Sequence, residues 1–441
     1  MLNIENCIQC NQRTGSYEAI SVSGVVDELI ERLHILTIME TGDILKYENG
    51  VYVGNGLQLI SQVLAHDLSK LVSYKGKPMY NKMVKLEIID LIKDRTLVSV
   101  KDFDTDLDTI NMNNCIYNWR TGESIPHNPM YLSVIQVPID YDPNATCEKI
   151  EEILRDIIQP EDYIKMLEFI AFLYYRNYSV QKAFILYGPG GTGKSAFLNM
   201  LDKMIGANNC SAVPFDEIDQ LFARVNLCGK LMNKGGELDN QAVKRTLIFK
   251  SLTSGFDPIE ARHLYKESFR FVNFAKLIWA TNSIPRVFDD TDGFYRRVEI
   301  LLFLHKFKPE EYDQERMDAM VDPKQLSGLF NLCISKLEPL LERHDYTNAS
   351  TVDGIREKYR AISDPIQSFA DDRLVACPDG RISCDELYEL YEAYCQNFKV
   401  KPIHKNQFDI TIPSKIRSMR QDRMAFGRKR SVCCWVGVRV I

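Results

Sequence analysis

The residues Gly188-Pro189-Gly190-Gly191-Thr192-Gly193-Lys194-Ser195 have types and a spacing that suit one chemistry. Glycines at 188, 190, 191 and 193 let a backbone curl until successive N–H groups face one point, and such a concavity attracts anions. An apolar strand, 183–187, enters this turn and a helical pattern leaves it. That context belongs to a phosphate-binding loop, where the following helix N-terminus adds favourable field. Lys194 is expected to reach the β- and γ-phosphates of a nucleotide, and the Ser195 hydroxyl to ligate Mg2+. A chance glycine-rich turn is the plain alternative, and it leaves the flanking strand and helix unexplained.

A phosphate loop needs a carboxylate to hold the metal or polarise water. The next buried strand, in KLMNKGGELDN, ends on Glu237 and Asp239. Such carboxylates at a strand end beside the phosphate-loop strand can face the γ-phosphate; otherwise they are solvated loop acids. A further strand, 276–280, ends on Thr281-Asn282, where an amide can orient water, sense the terminal phosphate or simply cap the strand. Arg296 and Arg297 precede the strand at 298–303. Arginine suits stabilisation of charge on a transferring phosphoryl group, here from a neighbouring subunit, unless the pair is only surface charge.

These residues require a scaffold. From 161 to about 343 buried strands alternate with helices, which implies a parallel sheet covered on both faces. Ahead of it, ILKYENGVYVG reads as a hairpin turning at Glu48-Asn49-Gly50, because Asn-Gly accepts positive φ. Helices are expected near 57–72 and 82–92, and a second hairpin turns at Thr121-Gly122. Ile150, Ile153, Leu154, Ile157 and Ile158 form a helical stripe that stops before Pro160, where a domain boundary is expected. After 351, Ser383 and Glu386 read as a capping box, a second helix is expected over 406–419, and a strand-like run closes the chain. Helices followed by a β wing resemble a winged helix. The expected division is a polar tail 1–20, an α+β domain 21–158, a P-loop ATPase domain 159–345 and a basic winged-helix-like domain 351–441.

Composition sets the outer limits. The chain has 441 residues and a net charge of −6, which argues against a general nucleic-acid coat. From Lys401 to Ile441, however, ten basic residues face two acidic ones. A basic end on an acidic body suggests a polyanion contact there, or a solvated basic surface. No apolar run is long enough for a membrane span, and no secretory leader is evident. Twelve scattered cysteines fit reduced thiols in a cytoplasm. Cys7 and Cys10 have a zinc-knuckle spacing without a second pair, so free thiols are the expectation.

The order P-loop, GGELD, TSGFDPIEARHLYKESFRF, KLIWATNSIP and DGFYRRV resembles the superfamily 3 helicases, in particular the poxvirus, phage and plasmid primase–helicases. The resemblance spans most of the chain and implies an AAA+-like P-loop core, ATP and Mg2+. It makes Lys194 and Ser195 ligands of nucleotide and metal, Glu237 the second-motif acid and Asn282 the sensor. It makes Arg296 or Arg297 an arginine finger, with Arg297 slightly preferred. Gly255 and Asp257 would open the motif peculiar to the superfamily. Residues 262–271 would be its DNA-tracking hairpin, with Arg262 and Lys266 on DNA. Lysine contacts to phosphate are sequence-independent, as a translocating motor requires.

Two departures stand out. Gly236 occupies a position where many relatives carry a second acid, so Glu237 would serve both metal and water, or Asp239 would assist. Only about twenty residues precede the first recognisable domain, so no primase activity is expected in this chain; a separate primase or polymerase would supply it. The expected function is an ATP-driven helicase that encircles single-stranded DNA at a fork as a homo-oligomeric ring, taken as a hexamer. The alternatives are a DNA-binding initiator or remodelling ATPase without processive unwinding, and a packaging or signalling ATPase.

Overall fold

The computed structural model describes residues 2–10, 13, 15–236, 246–287, 291–307, 314–426 and 429–441. The chain divides into two compact units. One is Met1–Ala145 with Lys203–Asn209; the other is Thr146–Asp202 with Cys210–Ile441.

In the first unit, strands Val51–Val53, Ile44–Glu48, Leu36–Ile38 and Leu97–Val98 form one sheet in that order. The expected Asn-Gly hairpin is present: Asn49 and Gly50 have φ of 50° and 91°, the left-handed pair that a tight reversal needs. Helices Val22–Leu33, Gly56–Leu68 and Lys82–Arg95 bury Val26, Leu29, Ile60, Leu64, Ile88 and Ile92 in one core. The second expected hairpin pairs Ile116–Asn118 with Ser124–Ile125, and Asn118 Oδ1 accepts from the N–H groups of Arg120 and Thr121 at 3.0 Å each. Cys7 lies inside the helical core, whereas Cys10 is exposed. Among the described residues, no cluster of three or more metal-ligating side chains forms.

The second unit begins earlier than the expected boundary near Pro160. Helix Glu148–Ile157 belongs to it, and its isoleucine stripe is buried there. Five parallel strands follow: Ala183–Tyr187, Cys210–Ser211, Met232–Gly235, Lys276–Thr281 and Val298–Leu302. Counted along the chain, they lie across the sheet as second, third, fourth, first, fifth. Phe184, Ile185 and Leu186 are buried together, as a strand covered on both faces demands. The loop after Tyr187 therefore sits where neighbouring strands diverge in chain order, the place where open α/β sheets bind ligands.

Charge is buried in this core. Glu299 is fully enclosed and meets Lys182 at 2.7 Å and Lys165 at 3.3 Å, while Asp162 meets Lys165 at 3.0 Å. Burial alone would lower the Lys165 pKa, but attraction to Glu299 and Asp162 outweighs it and the net direction is up.

The C-terminal part packs helices Pro365–Arg373, Cys384–Asn397 and Lys405–Thr411 on strands Leu374–Ser383, Arg420–Phe426 and Lys429–Val440. These antiparallel strands lie in the order first, third, second. Ser383 Oγ accepts from the Glu386 N–H at 3.1 Å, one half of the expected capping box. The helix expected over 406–419 ends instead at Thr411 and continues as a 3-10 turn, Ile412–Lys415. Pro413 is the reason, since its ring removes a helical donor and crowds the preceding turn. Helix Val352–Ser363 is tied to the parallel-sheet part by Tyr359, whose hydroxyl donates to Pro285 O at 2.8 Å.

Candidate functional site

The phosphate loop is held by close approach as well as by turn geometry. A Cβ on Gly188 would lie 2.0 Å from the Phe303 carbonyl oxygen, and Phe303 N donates to Tyr187 O at 2.8 Å. No side chain fits at 188 while the strand end stays paired. Gly193, with φ of 88°, opens the helix Lys194–Ile205. Thr192 is buried and its hydroxyl donates to Pro189 O at 3.0 Å. Lys194 Nζ donates to Gly188 O, Pro189 O and Asn282 Oδ1 at 2.5, 2.8 and 2.9 Å. Its three N–H groups thus have acceptors, and an incoming phosphate oxygen must displace one. Ser195 is exposed at the mouth of the loop.

A cavity of about 350 Å³ opens over these residues. One wall is polar: Gly190 to Ala196 and Asn282. The other is apolar: Ile153, Ile157, Phe307, Met317 and Met320, with Arg316 beside them. The size falls within the usual range for small-ligand pockets, and the two-sided lining fits a nucleotide, phosphates on the loop and flat base on the methyl-rich wall. The sequence reading missed this second wall. The isoleucine stripe at 150–158 carried the signal, but a stripe at helical spacing reads first as core.

Asn282 follows strand Lys276–Thr281, which pairs in parallel with the phosphate-loop strand from Phe184↔Ile278 to Tyr187↔Thr281. The amide therefore reaches the loop from the adjoining strand. Lys276, at the other end, is fully buried, with Nζ donating to Tyr175 O and lying 4.3 Å from the Phe172 ring centre. Burial, and then the charge of Arg176, drives its pKa well down.

The second-acid strand differs from expectation. Met232–Gly235 pairs with Lys276–Thr281 and not with the phosphate-loop strand, so the sensor strand lies between them. Gly235 is pressed on Trp279; a Cβ would lie 2.1 Å from the indole. Glu237 and Asp239 lie outside the described residues. Of the expected metal ligands, Ser195 is the one described; its exposed hydroxyl fits that role.

Arg296 and Arg297 have different fates. Arg296 is exposed. Arg297 is buried, with Nη1 donating to Gly293 O at 2.8 Å and Nη2 to Gln181 Oε1 at 3.5 Å. Burial, followed by the like charge of Arg296, lowers the Arg297 pKa against the opposing pull of Asp257. Gln181 Nε2 donates to Ser254 O at 2.9 Å, next to Gly255. Gly255, with φ of 79°, is pressed on the Tyr178 carbonyl, 2.8 Å from a would-be Cβ. Asp257 N donates to Ser254 Oγ at 2.9 Å. The guanidinium of Arg297 is thus bonded within its own chain, whereas Arg296 is exposed.

Strands Pro258–Arg262 and Ser268–Val272 form the expected hairpin, with Ala261 facing Phe269 across it. Ile259 and Ala261 point inward and are buried, whereas Glu260 and Arg262 point out. Arg224, itself buried, clamps the base by donating to Glu260 O at 3.1 Å and Ile218 O at 2.9 Å. At the tip Arg262 Nε donates to Lys266 O at 3.0 Å, and Lys266 is exposed. Tyr265, missed by the sequence reading, is 95% exposed with φ of 59°. A bulky residue seldom takes that conformation without a reason. Three residues, Asn273 to Ala275, connect the hairpin to the sensor strand.

Residues 24–159 match the family described as D5 N terminal like, and residues 186–297 match a family of unknown function, DUF5906. The chain is 22% identical over 366 residues to the L207/L206 protein of Acanthamoeba polyphaga mimivirus, which carries the name of a candidate helicase. That match covers 76% of this chain and 38% of the relative's length. Two apo structures of the NrS-1 C-terminal region are similar at 13% identity, each covering 94% of this chain and 98% of theirs, with TM-scores of 0.48 and 0.47. The described helices include none long and apolar enough to cross a membrane. With a D5-like module ahead of a phosphate-loop module, the chain is similar to the helicases that its motif order resembles, those of superfamily 3 type.

Proposed function

We propose that the chain is the motor of an ATP-dependent DNA helicase in the replication of a virus, phage, plasmid or integrated element. One observation carries this reading most directly. Asn282, bonded to Lys194, ends a strand whose other end leads within three residues into an exposed, tyrosine- and lysine-tipped hairpin. The strand rises ~3.3 Å per residue, so the phosphate loop and the hairpin root are joined by a rod roughly 20 Å long.

In this mechanism Lys194 exchanges the Asn282 amide oxygen for the β- and γ-phosphates of ATP. Asn282, released from the ammonium group, then orients the attacking water. Arg296, from the next subunit of a ring, offers its guanidinium to the charge that develops on the γ-phosphoryl group. Mg2+ bound by Ser195 and the Glu237 or Asp239 carboxylate would supply the remaining positive charge. Lys266 and Arg262 hold phosphates of one DNA strand, and Tyr265 stacks on a base, a contact open to every sequence. The sheet order second, third, fourth, first, fifth supports an AAA+-like core and a ring, taken as hexameric. The C-terminal succession of helix, strand, two helices and two strands supports a winged helix.

A forked-duplex assay tests the reading. Wild-type protein should unwind the fork with ATP. Lys194→Ala should unwind nothing, and Lys266→Ala should hydrolyse ATP without stimulation by DNA. Hydrolysis indifferent to DNA, with no unwinding of either fork polarity, would replace the motor with a remodelling or initiator ATPase.

A further inference from the structure

Helix Lys405–Thr411 has one side spent on packing and one side unused. Phe408 and Ile412 are fully buried, and just ahead of the helix Ile403 O accepts from the Tyr388 hydroxyl at 2.8 Å. The opposite side presents Asn406, Gln407 and Ile410, all exposed, Ile410 to 77%. A period of 3.6 residues sets Asn406 and Ile410 one above the other with Gln407 beside them. Neither amide side chain makes a hydrogen bond among the described residues.

The charges around this face are arranged in a telling way. Lys401 before the helix and Arg417, Arg420 and Arg423 after it are exposed and form no ion pair among the described residues. On the helix itself, Lys405 is bound to Asp385 and Asp409 is only partly exposed. Cations therefore flank a face made of two amides and a branched hydrocarbon. A surface built for phosphates alone would carry the cations on the face. One built for single strands would carry aromatic rings for stacking, and this one has none. An amide offers a donor and an acceptor side by side, the match for N7 and the N6 amino group of adenine, and an aliphatic side chain suits the thymine methyl group. The helix is the second of a consecutive pair, the member that enters the major groove in helix-turn-helix proteins.

We propose that Asn406, Gln407 and Ile410 read A·T base pairs in the major groove of duplex DNA while the flanking cations hold its phosphates. This rests on the winged-helix reading above and is independent of the motor. It gives the chain a sequence-selective duplex site apart from the sequence-blind hairpin.

The test is selection of duplexes from a randomised pool by the full chain, followed by fluorescence anisotropy on the selected duplex and on a G·C-rich one of equal length. An A·T-containing consensus with a preference of about tenfold or more is expected. The triple variant Asn406→Ala/Gln407→Ala/Ile410→Ala should bring the two affinities within about twofold, leaving salt-dependent binding intact. Arg417→Ala/Arg420→Ala should weaken both duplexes alike and flatten the salt dependence. Gln407→Ala alone, a change of one exposed side chain, should reduce the preference and serves if the triple variant does not fold. Equal wild-type affinities, or a preference that survives the triple change, would overturn the proposal. So would finding no selected duplex while Ile410→Ala alters self-association, which would make the face a protein contact. Unwinding of a fixed-sequence fork reports on the motor separately and should be unchanged in the triple variant.

Discussion

The phosphate loop and the hairpin are carried by two neighbouring, paired strands, yet they are built on opposite principles. At the loop, Gly188 and Gly193 are pressed on neighbouring chain, Lys194 has an acceptor for every N–H, and the strands beneath are buried on both faces. At the hairpin tip, residues 262–268 are exposed, and Tyr265 keeps an uncommon backbone angle in the open. Charge chemistry needs donors fixed before the reaction, so its site is over-determined. Gripping a polymer of any sequence, the role proposed for the hairpin, would need reach and a tolerant surface, and the tip stands clear of the core.

The sharpest way to break this contrast is Arg296→Ala against Arg297→Ala. If Arg296 acts across a subunit boundary, its loss should cut turnover by about a thousandfold with the thermal transition unmoved. Arg297→Ala should instead lower the transition, since it strips partners from Gly293 and Gln181; calorimetry and phosphate release on both variants decide. Mixing Lys194→Ala with Arg296→Ala subunits should restore part of the turnover. If Arg297→Ala gave the stable but inactive protein, the assignment would be reversed.

Next in size is Glu299. Its replacement by Ala leaves Lys165 and Lys182 buried without their shared carboxylate, at a cost of about 3–5 kcal/mol, readable by denaturant titration. The pH dependence carries a sign. The Lys165 pKa is raised on folding, so its stabilisation is complete below the ordinary lysine value of about 10.4 and is lost as pH rises through the folded value. Wild-type stability should therefore decline above about pH 10, and less steeply in Glu299→Gln.

At the hairpin the effects are smaller and confined to DNA. Tyr265→Ala should weaken single-strand binding by about 1–3 kcal/mol and leave basal hydrolysis untouched, measured by anisotropy and phosphate release. Tyr265→Phe should retain most of the affinity, because stacking uses the ring and not the hydroxyl. A Tyr265→Ala protein that binds DNA normally would remove the tip from the grip. Smallest of all, Phe307→Ala should raise the KM for ATP several-fold with kcat kept, as loss of a wall that holds ground and transition states equally.

What could be read from the sequence was local. The phosphate loop and the Asn49-Gly50 reversal depend on residues a few positions apart, and each stands where spacing put it; the hairpin, expected over 262–271 from the family resemblance, forms between strands Pro258–Arg262 and Ser268–Val272. What escaped depends on distant pairs. Ile153 and Ile157 look like core until Phe307 and Met320 complete the cavity with them. Arg297 looks like a surface neighbour of Arg296 until Gln181 and Gly293 claim it. The sensor strand's insertion beside the phosphate-loop strand is a matter of strand order, which periodicity does not encode. The end of the helix at Thr411 was legible in Pro413 and was overridden by the apolar pattern around it.

Asn273 closes the account of how the two ends communicate. Its buried side chain donates to Leu252 O at 2.8 Å and Ala275 O at 3.0 Å and accepts from Ala275 N at 3.2 Å. The three-residue joint is thereby fixed, so in the proposed motor the hairpin would move with the strand and with the sheet neighbours that hold it on both sides. The projecting arm, five residues at ~3.3 Å each, is about 17 Å long, so a pivot of about ten degrees sweeps its tip by roughly 3 Å. The strand arm is roughly 20 Å long, so the same pivot moves the end beside Asn282 by about 3.5 Å; in the proposed motor the stroke would be transmitted at about equal size, without any segment having to unfold.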